Sequence, residues 1–108
     1  MEKYRIRLMK TFLWKLDCER KLYKYRILLL EKEEIYAKAY EIDTMLSLYE
    51  ELREISQKMT VQQLENCLYV PELLAFFYYE WLKTEDSRVS ELEAFIMNTL
   101  NKTQRNVA

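Results

Sequence analysis

The sequence predicts an all-α fold, a small bundle of about five helices that begins with a long N-terminal helix. Apolar residues recur at three- and four-residue steps along most of the chain, which is the spacing of one helix face. The 108 residues include no Gly and one Pro, which argues against a fold that depends on tight β-turns. The 50% hydrophobic content argues against disorder. The length fits one domain over residues 1–108, and we expect residues 101–108 to fray.

The first helix is predicted from near Tyr4 to Leu30, and it carries two apolar stripes. One stripe keeps helical spacing except for a break at Arg20, and it consists of Ile6, Met9, Leu13, Leu16, Tyr23, Ile27 and Leu30. The second stripe lies on another side of the helix and consists of Trp14, Cys18, Leu22, Tyr25 and Leu29. Because a helix must bury both stripes, we expect it to lie at the centre of its own bundle or to be shared with another chain.

A second helix is predicted from Ile35, after a charged interruption at residues 31–34. Its apolar face consists of Ile35, Ala39, Ile42, Leu46 and Tyr49, and it is widened by Met45, Leu48 and Leu52. No Gly or Pro separates the two helices, so the junction is either a tight turn or a continuous helix. We favour the turn, because one very long helix would leave little chain to cover it.

Three shorter helices are predicted in the rest of the chain. Thr60 and Gln63 have the spacing of a capping box, which predicts a short helix through Leu64 and Cys67. Pro71 is tolerated in a first helical turn, so it opens a fourth helix that reaches about Lys83. After a break at residues 84–87, a last helix is capped by Ser87 or by Ser90 with Glu93. Its buried face is predicted to be Val89, Leu92, Phe95, Ile96, Thr99 and Leu100.

The composition excludes several kinds of reaction centre. A chain without Gly has no phosphate-binding loop, dinucleotide fingerprint or nucleophile elbow. A chain without His lacks the commonest general base and the usual metal ligand. The acidic clusters at residues 31–34 and 50–54 fall on polar helix faces, where solvated charge is the ordinary explanation. We therefore predict a non-enzymatic protein with no catalytic, cofactor-binding or metal-binding residues.

The two cysteines, Cys18 and Cys67, are predicted to be buried free thiols. A disulfide scaffold normally uses several pairs in a small secreted chain. A structural zinc site needs four Cys or His ligands, and this chain cannot supply them.

The net charge of −1 hides an asymmetry between the first helix and the rest. Residues 1–30 hold nine Lys/Arg and three acidic residues, a net charge of +6, whereas residues 31–108 hold eight basic and 15 acidic residues, a net charge of −7. The basic helix can bind phosphates, or it can lie against its own acidic neighbours. The candidates for a basic face are Lys10, Lys21, Lys24 and Arg26. A nucleic-acid domain usually shows a net basic excess and a recognisable motif, and this chain has neither.

The fourth helix is the most aromatic segment of the chain. A helical wheel places Phe76 and Tyr79 among Glu72, Glu80 and Lys83, away from the main apolar half of the helix. Aromatic residues among charges are typical of interfaces, so we predict a partner contact at Phe76, Tyr79, Glu72 and Glu80. The alternative is that the chain's own tail or third helix covers these aromatic residues.

Three segments carry a resemblance to a known family. Residues 33–42 with Met45 and Leu46, residues 59–68, and the segment from Pro71 to Leu82 resemble an uncharacterised family of small all-helical proteins, a domain of unknown function from gut Firmicutes and their mobile elements. The resemblance spans residues 20–97, although this chain has Glu31 and Lys32 where the family usually carries a proline. The family has no assigned functional residues, so none is carried over.

These observations together predict a binding protein that acts by occupying a protein or ribonucleoprotein partner. The resemblance implies a small protein of a mobile element that inhibits a bacterial defence complex, in the manner of an anti-CRISPR protein. The first alternative is a nucleic-acid-associated regulator that dimerises through the Trp14–Leu29 stripe, and the second is a purely structural homodimer. The longest aliphatic run, residues 27–30, is far shorter than the roughly 20 residues of a membrane span. We therefore expect a cytoplasmic protein with no membrane partner.

Overall fold

The computed structural model describes the backbone of residues 2–83 and 92–107, and the side chains of residues 2–83 and 94–101. Every regular element in this part of the chain is helical, which confirms the predicted all-α bundle with a long first helix. The α-helices are α1 (Glu2–Leu28), α2 (Lys32–Ala37), α3 (Ala39–Ile55), α4 (Val61–Leu68), α5 (Leu73–Leu82) and α6 (Leu92–Val107). A 3₁₀ turn, Ser56–Lys58, joins α3 to α4.

The hydrophobic core lies on one side of α1. The first helix packs against α3, α4 and α5, while α6 packs against α3, α4 and α5. The buried apolar residues come from each of these helices and the α3–α4 link: Phe12, Leu16, Met45, Leu48, Leu52, Ile55, Met59, Leu64, Cys67, Leu73, Leu74, Phe77, Trp81, Ile96 and Leu100. Because only Phe12 and Leu16 of α1 are fully buried, α1 is not the central helix that one of the two predicted arrangements requires.

The first apolar stripe of α1 is confirmed as the side that faces the core, but its centre was predicted incorrectly. Leu16 is buried and Tyr23 is half-buried, as expected, whereas Ile6 is exposed. Phe12, which is in neither predicted stripe, is fully buried. The core-facing line runs through Leu8, Phe12 and Leu16, so it shares Leu16 with the predicted stripe and is rotated toward Phe12 along the first half of the helix.

The turn between the first two helices is confirmed, although it lies earlier than predicted. α1 ends at Leu28, and the amides of Leu29 and Leu30 bond to the carbonyls of Arg26 and Ile27 in a tight turn. The acidic segment that follows is part of α2 rather than an interruption, and the Glu34 carboxylate accepts a bond from the Glu31 amide at 3.1 Å. This bond satisfies an amide at the helix start and explains why the charged segment is helical.

The predicted second helix is two helices, because the backbone leaves the helical conformation at Lys38. The core side of α3 is also one position away from the predicted stripe. Its buried apolar residues are Met45, Leu48, Leu52 and Ile55, whereas Ala39 and Leu46 of the predicted stripe are exposed. The residues expected only to widen the face therefore form its centre.

The capping box at the start of α4 is confirmed. The Thr60 hydroxyl accepts a bond from the Gln63 amide at 3.1 Å, and the Gln63 side chain accepts one from the Thr60 amide at 3.0 Å. Two amides that would otherwise lack a partner are thereby satisfied, so α4 begins at Val61. The predicted short helix through Leu64 and Cys67 is also confirmed, and both residues are buried.

The predicted start of the fourth helix is wrong, because α5 begins at Leu73 and Pro71 precedes it. The residue at the helix start, Glu72, makes no capping bond with its side chain. The cap comes instead from α1, where the two oxygens of the Glu19 carboxylate accept bonds from the amides of Leu73 and Leu74 at 3.0 and 2.8 Å. A carboxylate from a distant helix therefore caps the start of α5.

The last helix, α6, has the predicted buried residues Ile96, Thr99 and Leu100, and Phe95 is half-buried. Phe95 packs edge-on against Trp81 of α5, with ring centroids 5.1 Å apart. The predicted break at residues 84–87, the caps at Ser87 and Ser90, and the side chains of Val89 and Leu92 lie outside the described residues. The helical backbone continues to Val107, through the segment for which we expect fraying, and that expectation stays a prediction.

Candidate binding face on the first helix

The second apolar stripe of α1 faces solvent along its whole length. We call Trp14, Cys18, Leu22, Tyr25 and Leu29 the outer face of α1. Trp14 and Leu29 are each 68% exposed, and Tyr25 is 62% exposed. Leu22 is the least exposed large side chain of the outer face, and half of its surface still contacts solvent. The expectation that this stripe is buried within its own bundle is therefore wrong.

Helix geometry explains why the two stripes behave differently. At about 100° per residue, the outer face lies on the opposite side of α1 from Phe12 and Leu16. The remaining helices of the described chain lie on the Phe12 side, so none of them covers the outer face. Leu28, which is next to Leu29, is also 68% exposed and extends this apolar surface at its C-terminal end. Contiguous exposed apolar surface of this kind is typical of interaction sites.

Four of the nine basic residues in the first 30 positions have a partner within the described chain. Arg5 donates to the backbone carbonyl of Met59 at 3.0 Å and pairs with Glu2. Lys15 pairs with Glu19 at 3.2 Å, Arg26 approaches Glu72 at 4.0 Å, and Arg20 lies over the ring of Tyr49. The alternative in which the basic helix lies against its own neighbours thus holds for part of α1.

The other five basic residues make no ion pair with any residue that the structure describes, and all five are exposed: Lys3, Arg7, Lys10, Lys21 and Lys24. Helix geometry places Lys3, Lys10, Lys21 and Lys24 along one flank of the outer face, with Arg7 in line with the face itself. We call these five residues the free cations. Arg26, the fourth predicted basic-face residue, projects from the other flank, so the predicted set does not form one surface.

The four residues of the partner contact predicted around α5 differ in their exposure. Phe76 is half-buried, packs against the core and lies edge-on to Phe77 with ring centroids 5.5 Å apart. Tyr79 is exposed, as a partner contact would require. Most of the Glu80 side chain is buried and it pairs with Lys83 at 2.7 Å, whereas Glu72 is exposed beside Arg26. Tyr79 and Glu72 therefore remain accessible on the α1 side of α5.

A groove of about 400 Å³ lies between the C-terminal half of α1, the start of α3 and α5. Four predicted site residues from three separate predictions line it: Leu22 of the outer face, Arg26 of the basic set, and Glu72 and Tyr79 of α5. Sequence spacing alone could not show that these residues share a surface, because they come from helices about 50 residues apart. The groove is therefore continuous with the outer face at Leu22.

A hydrogen bond between a tyrosine and a carboxylate connects α1 to α3 at one wall of the groove. The Tyr23 hydroxyl donates to Glu41 at 2.9 Å, and Lys38 lies 3.8 Å from the same carboxylate. Partial burial and the bond to Glu41 raise the pKa of Tyr23 well above its usual value. The pKa of Tyr78, on the opposite wall, is raised by burial and by the charge of Glu41. Both tyrosines are thus neutral hydrogen-bonding groups at physiological pH.

The two cysteines differ in exposure, and the prediction that both are buried is wrong for Cys18. Cys67 is buried in the core, where desolvation raises the pKa of its thiol to about 12. Cys18 lies on the outer face and is exposed. The sequence could not separate them, because both occupy apolar positions with helical spacing.

This difference predicts selective alkylation of the native protein. One thiol per chain is expected to react with iodoacetamide at pH 8, and peptide mapping should identify it as Cys18, because the thiolate is the reactive form. Cys67 should react only after denaturation. Equal modification of the two cysteines in the native protein would contradict the placement of Cys67 in the core.

Two further observations bear on the kinds of site that the chain can hold. No helix among the described residues is long and apolar enough to cross a membrane. Nor do the described side chains include a group of three or more His, Cys, Asp or Glu residues suited to binding a metal ion.

Comparison with known proteins does not assign the chain to a family. A scan against protein-family models finds no match, and searches of curated proteins and of solved structures find none either. The resemblance to the uncharacterised helical family therefore stays a prediction.

Proposed function

We propose that this protein is a binding protein that acts by occupying a macromolecular partner through the outer face of α1. The observation that carries the proposal is the exposure of Trp14, Tyr25 and Leu29 on a helix whose opposite side is packed into the core. Tyr and Trp are enriched at the centres of protein interfaces, where they contribute a large share of the binding energy.

Burial of the outer face would contribute favourably to binding. Covering an exposed Leu, Phe or similar side chain contributes on the order of 1.5–3 kcal/mol. The outer face offers four large apolar side chains, and Leu28 adds a fifth. Because α1 is held rigid by its core side, little backbone order is lost when a partner covers the other side. Occupancy of this kind requires no reacting group, and the proposal assigns none.

The biological setting belongs to the same proposal and is supported by the sequence resemblance alone. A small protein of a mobile element that blocks a bacterial defence complex, in the manner of an anti-CRISPR inhibitor, would act in the cytoplasm by occupying a surface of that complex.

The second candidate function is a nucleic-acid-associated regulator, and the free cations favour it. Salt-dependent binding to duplex DNA or RNA would support the regulator, and no binding at low salt would exclude it.

The proposal is tested by partner capture with matched variants. The face variant, Trp14→Ser/Tyr25→Ser/Leu29→Ser, removes the exposed apolar groups of the outer face. The control variant, Tyr36→Ser/Tyr69→Ser, removes two exposed tyrosines that lie on α2 and after α4. Wild type and the control variant should retain the same proteins from a host lysate, and the face variant should retain at least tenfold less of them.

Capture of the same proteins in the same amounts by all three chains would refute the proposal. Light scattering on the purified proteins separates the homodimer alternative. A wild-type dimer that the face variant converts to a monomer would show that the outer face binds a second copy. Unchanged thermal unfolding of the face variant is the control for its folding.

A further inference from the structure

The shape of the outer face matches the surface that one helix presents to another. Its members follow steps of four, four, three and four residues, so they form a nearly straight line along α1. At 1.5 Å per residue this line is roughly 22 Å long, or about four turns of a partner helix. Apolar residues at alternating three- and four-residue spacing are the seam of helix–helix pairs.

The charges beside the outer face indicate an acidic occupant. Four of the free cations lie along one flank, and the structure describes no acidic partner for any of the five. The acidic residues of α1 are all engaged elsewhere. Glu2 pairs with Arg5, Asp17 with Arg53, and Glu19 with Lys15 and the start of α5. Among the described residues no carboxylate pairs with Lys10, Lys21 or Lys24, so these cations are suited to the carboxylates of a partner.

A second copy of this chain that docks through its own α1 does not supply those carboxylates. In an antiparallel pair of α1 helices, a two-fold axis sets each flank against the same flank of the other copy. Lys10, Lys21 and Lys24 would then face their own counterparts, and like charges across an interface oppose association. A parallel pair would set this flank against Lys15 and Arg26, which already have acidic partners in the same chain.

A long polyanion fits the whole molecule less well than a short acidic helix. Residues 31–108 carry a net charge of −7, which repels a nucleic acid that extends beyond α1. A single acidic helix of about four turns covers only the outer face and its basic flank. Its apolar residues also bury Trp14, Tyr25 and Leu29, which a phosphate backbone would leave in contact with water.

We propose that the outer face of α1 binds one acidic amphipathic helix of a partner protein, an inference that rests on the proposed function. The apolar residues of that helix pack along Trp14, Leu22, Tyr25 and Leu29, and its carboxylates lie against the free cations on one flank. Charge complementarity sets the direction of the helix and favours this partner over basic or neutral ones.

Designed peptides test the proposal without knowledge of the natural partner. The probe is a helical peptide of about 18 residues, the approximate length of the outer face, with leucines at alternating three- and four-residue steps and glutamates beside them. One comparison peptide has lysine for each glutamate, and the other has serine for each leucine. The readout is Trp14 emission, because Trp14 is exposed whereas the other tryptophan, Trp81, is buried in the core.

The acidic peptide should bind and shift Trp14 emission to shorter wavelength, with affinity at least tenfold above that of either comparison peptide. Lys10→Glu/Lys21→Glu/Lys24→Glu should lower that affinity at least tenfold. The control Lys32→Glu/Lys58→Glu/Lys83→Glu makes the same change in net charge at exposed lysines outside the groove, on α2, on the 3₁₀ turn and after α5, and should change the affinity less than threefold. Raising the salt concentration should weaken wild-type binding, because exposed charges are screened.

Several results would overturn the inference. These are no emission shift at low salt, equal binding of the serine or the lysine peptide, or equal loss in the two charge-reversal variants. A larger emission shift with anionic vesicles or with a short RNA would also overturn it and assign the outer face to that ligand. If a partner is lost by the face variant in the capture experiment while the acidic peptide fails, this inference fails and the proposed function stands.

Discussion

Phe12→Ala is expected to lower the free energy of unfolding by about 3–5 kcal/mol, the range found when a buried Phe is truncated. Phe12 is 0% exposed and lies where α1 meets the core, so the substitution leaves a cavity bounded by several helices. Urea denaturation followed by circular dichroism measures the loss. A protein that no longer folds would agree with the upper end of this range.

The matched control is Trp14→Ala, two residues further along the same helix. Trp14 faces solvent on the outer face, so its truncation should change the stability by less than about 0.5 kcal/mol. Both substitutions truncate an aromatic side chain on α1, and they differ in which side of the helix that side chain occupies. If Trp14→Ala proved as destabilising as Phe12→Ala, the second stripe would be packed in the free protein and the outer face would not exist as described.

Glu19→Ala is expected to destabilise the protein by about 2 kcal/mol, because it removes a cap and a partly buried ion pair together. The Glu19 carboxylate receives the amides of Leu73 and Leu74 and lies 3.2 Å from Lys15. Without it, two amides at the start of α5 lose their acceptor and Lys15 loses its counter-charge. Thermal unfolding and hydrogen exchange at the first turn of α5 measure both consequences.

Glu19→Gln and Glu50→Gln separate the cap from general charge effects. Glutamine at position 19 keeps one acceptor oxygen, so it should recover part of the loss. Glu50 is an exposed glutamate on α3, and its neutralisation should have an effect within about 0.5 kcal/mol. An equal, small effect of all three substitutions would show that the contact between α1 and α5 does not determine where α5 begins.

Much of the fold follows from local rules that the sequence displays. Helical spacing identifies the apolar segments, and the Thr60–Gln63 box marks the start of α4 because both of its partners lie within four residues. The start of α5 could not be predicted in the same way. Its cap, Glu19, is more than 50 residues away, and only the packing of α1 against α5 brings the two together. Pro71 therefore marks the region of the helix start but not the residue.

The residues of the candidate site were only partly predictable for the same reason. Periodicity identifies the Trp14–Leu29 stripe, but a chain with two apolar stripes on one helix does not show which stripe the other helices cover. The structure shows that the Phe12 side is covered. Phe12 lies outside both predicted stripes because apolar residues at three- and four-residue steps permit more than one neighbouring line on the helix, and tertiary packing selects between them.

The separation of the two sides of α1 also connects the fold to the proposed function. Phe12 and Leu16 attach the helix to its own core, and the outer face stays available on a rigid surface. Leu22 and Arg26 continue that surface into the groove beside α5, where Glu72 and Tyr79 are accessible. A partner helix that docks along the outer face would therefore approach α5 beside the C-terminal half of α1. This would bring the separately predicted residues of α1 and α5 into contact with the same partner.

Site-specific photocrosslinking tests the central claim most directly, because it reports which surface of the folded chain a partner touches. A benzophenone amino acid replaces Tyr25 on the outer face in one chain and Tyr69, exposed after α4, in a control chain. Irradiation in host cells should yield a discrete adduct to another protein from position 25 and none from position 69. Adducts in equal yield from both positions, or from position 69 alone, would contradict the assignment of the outer face of α1 as the binding surface.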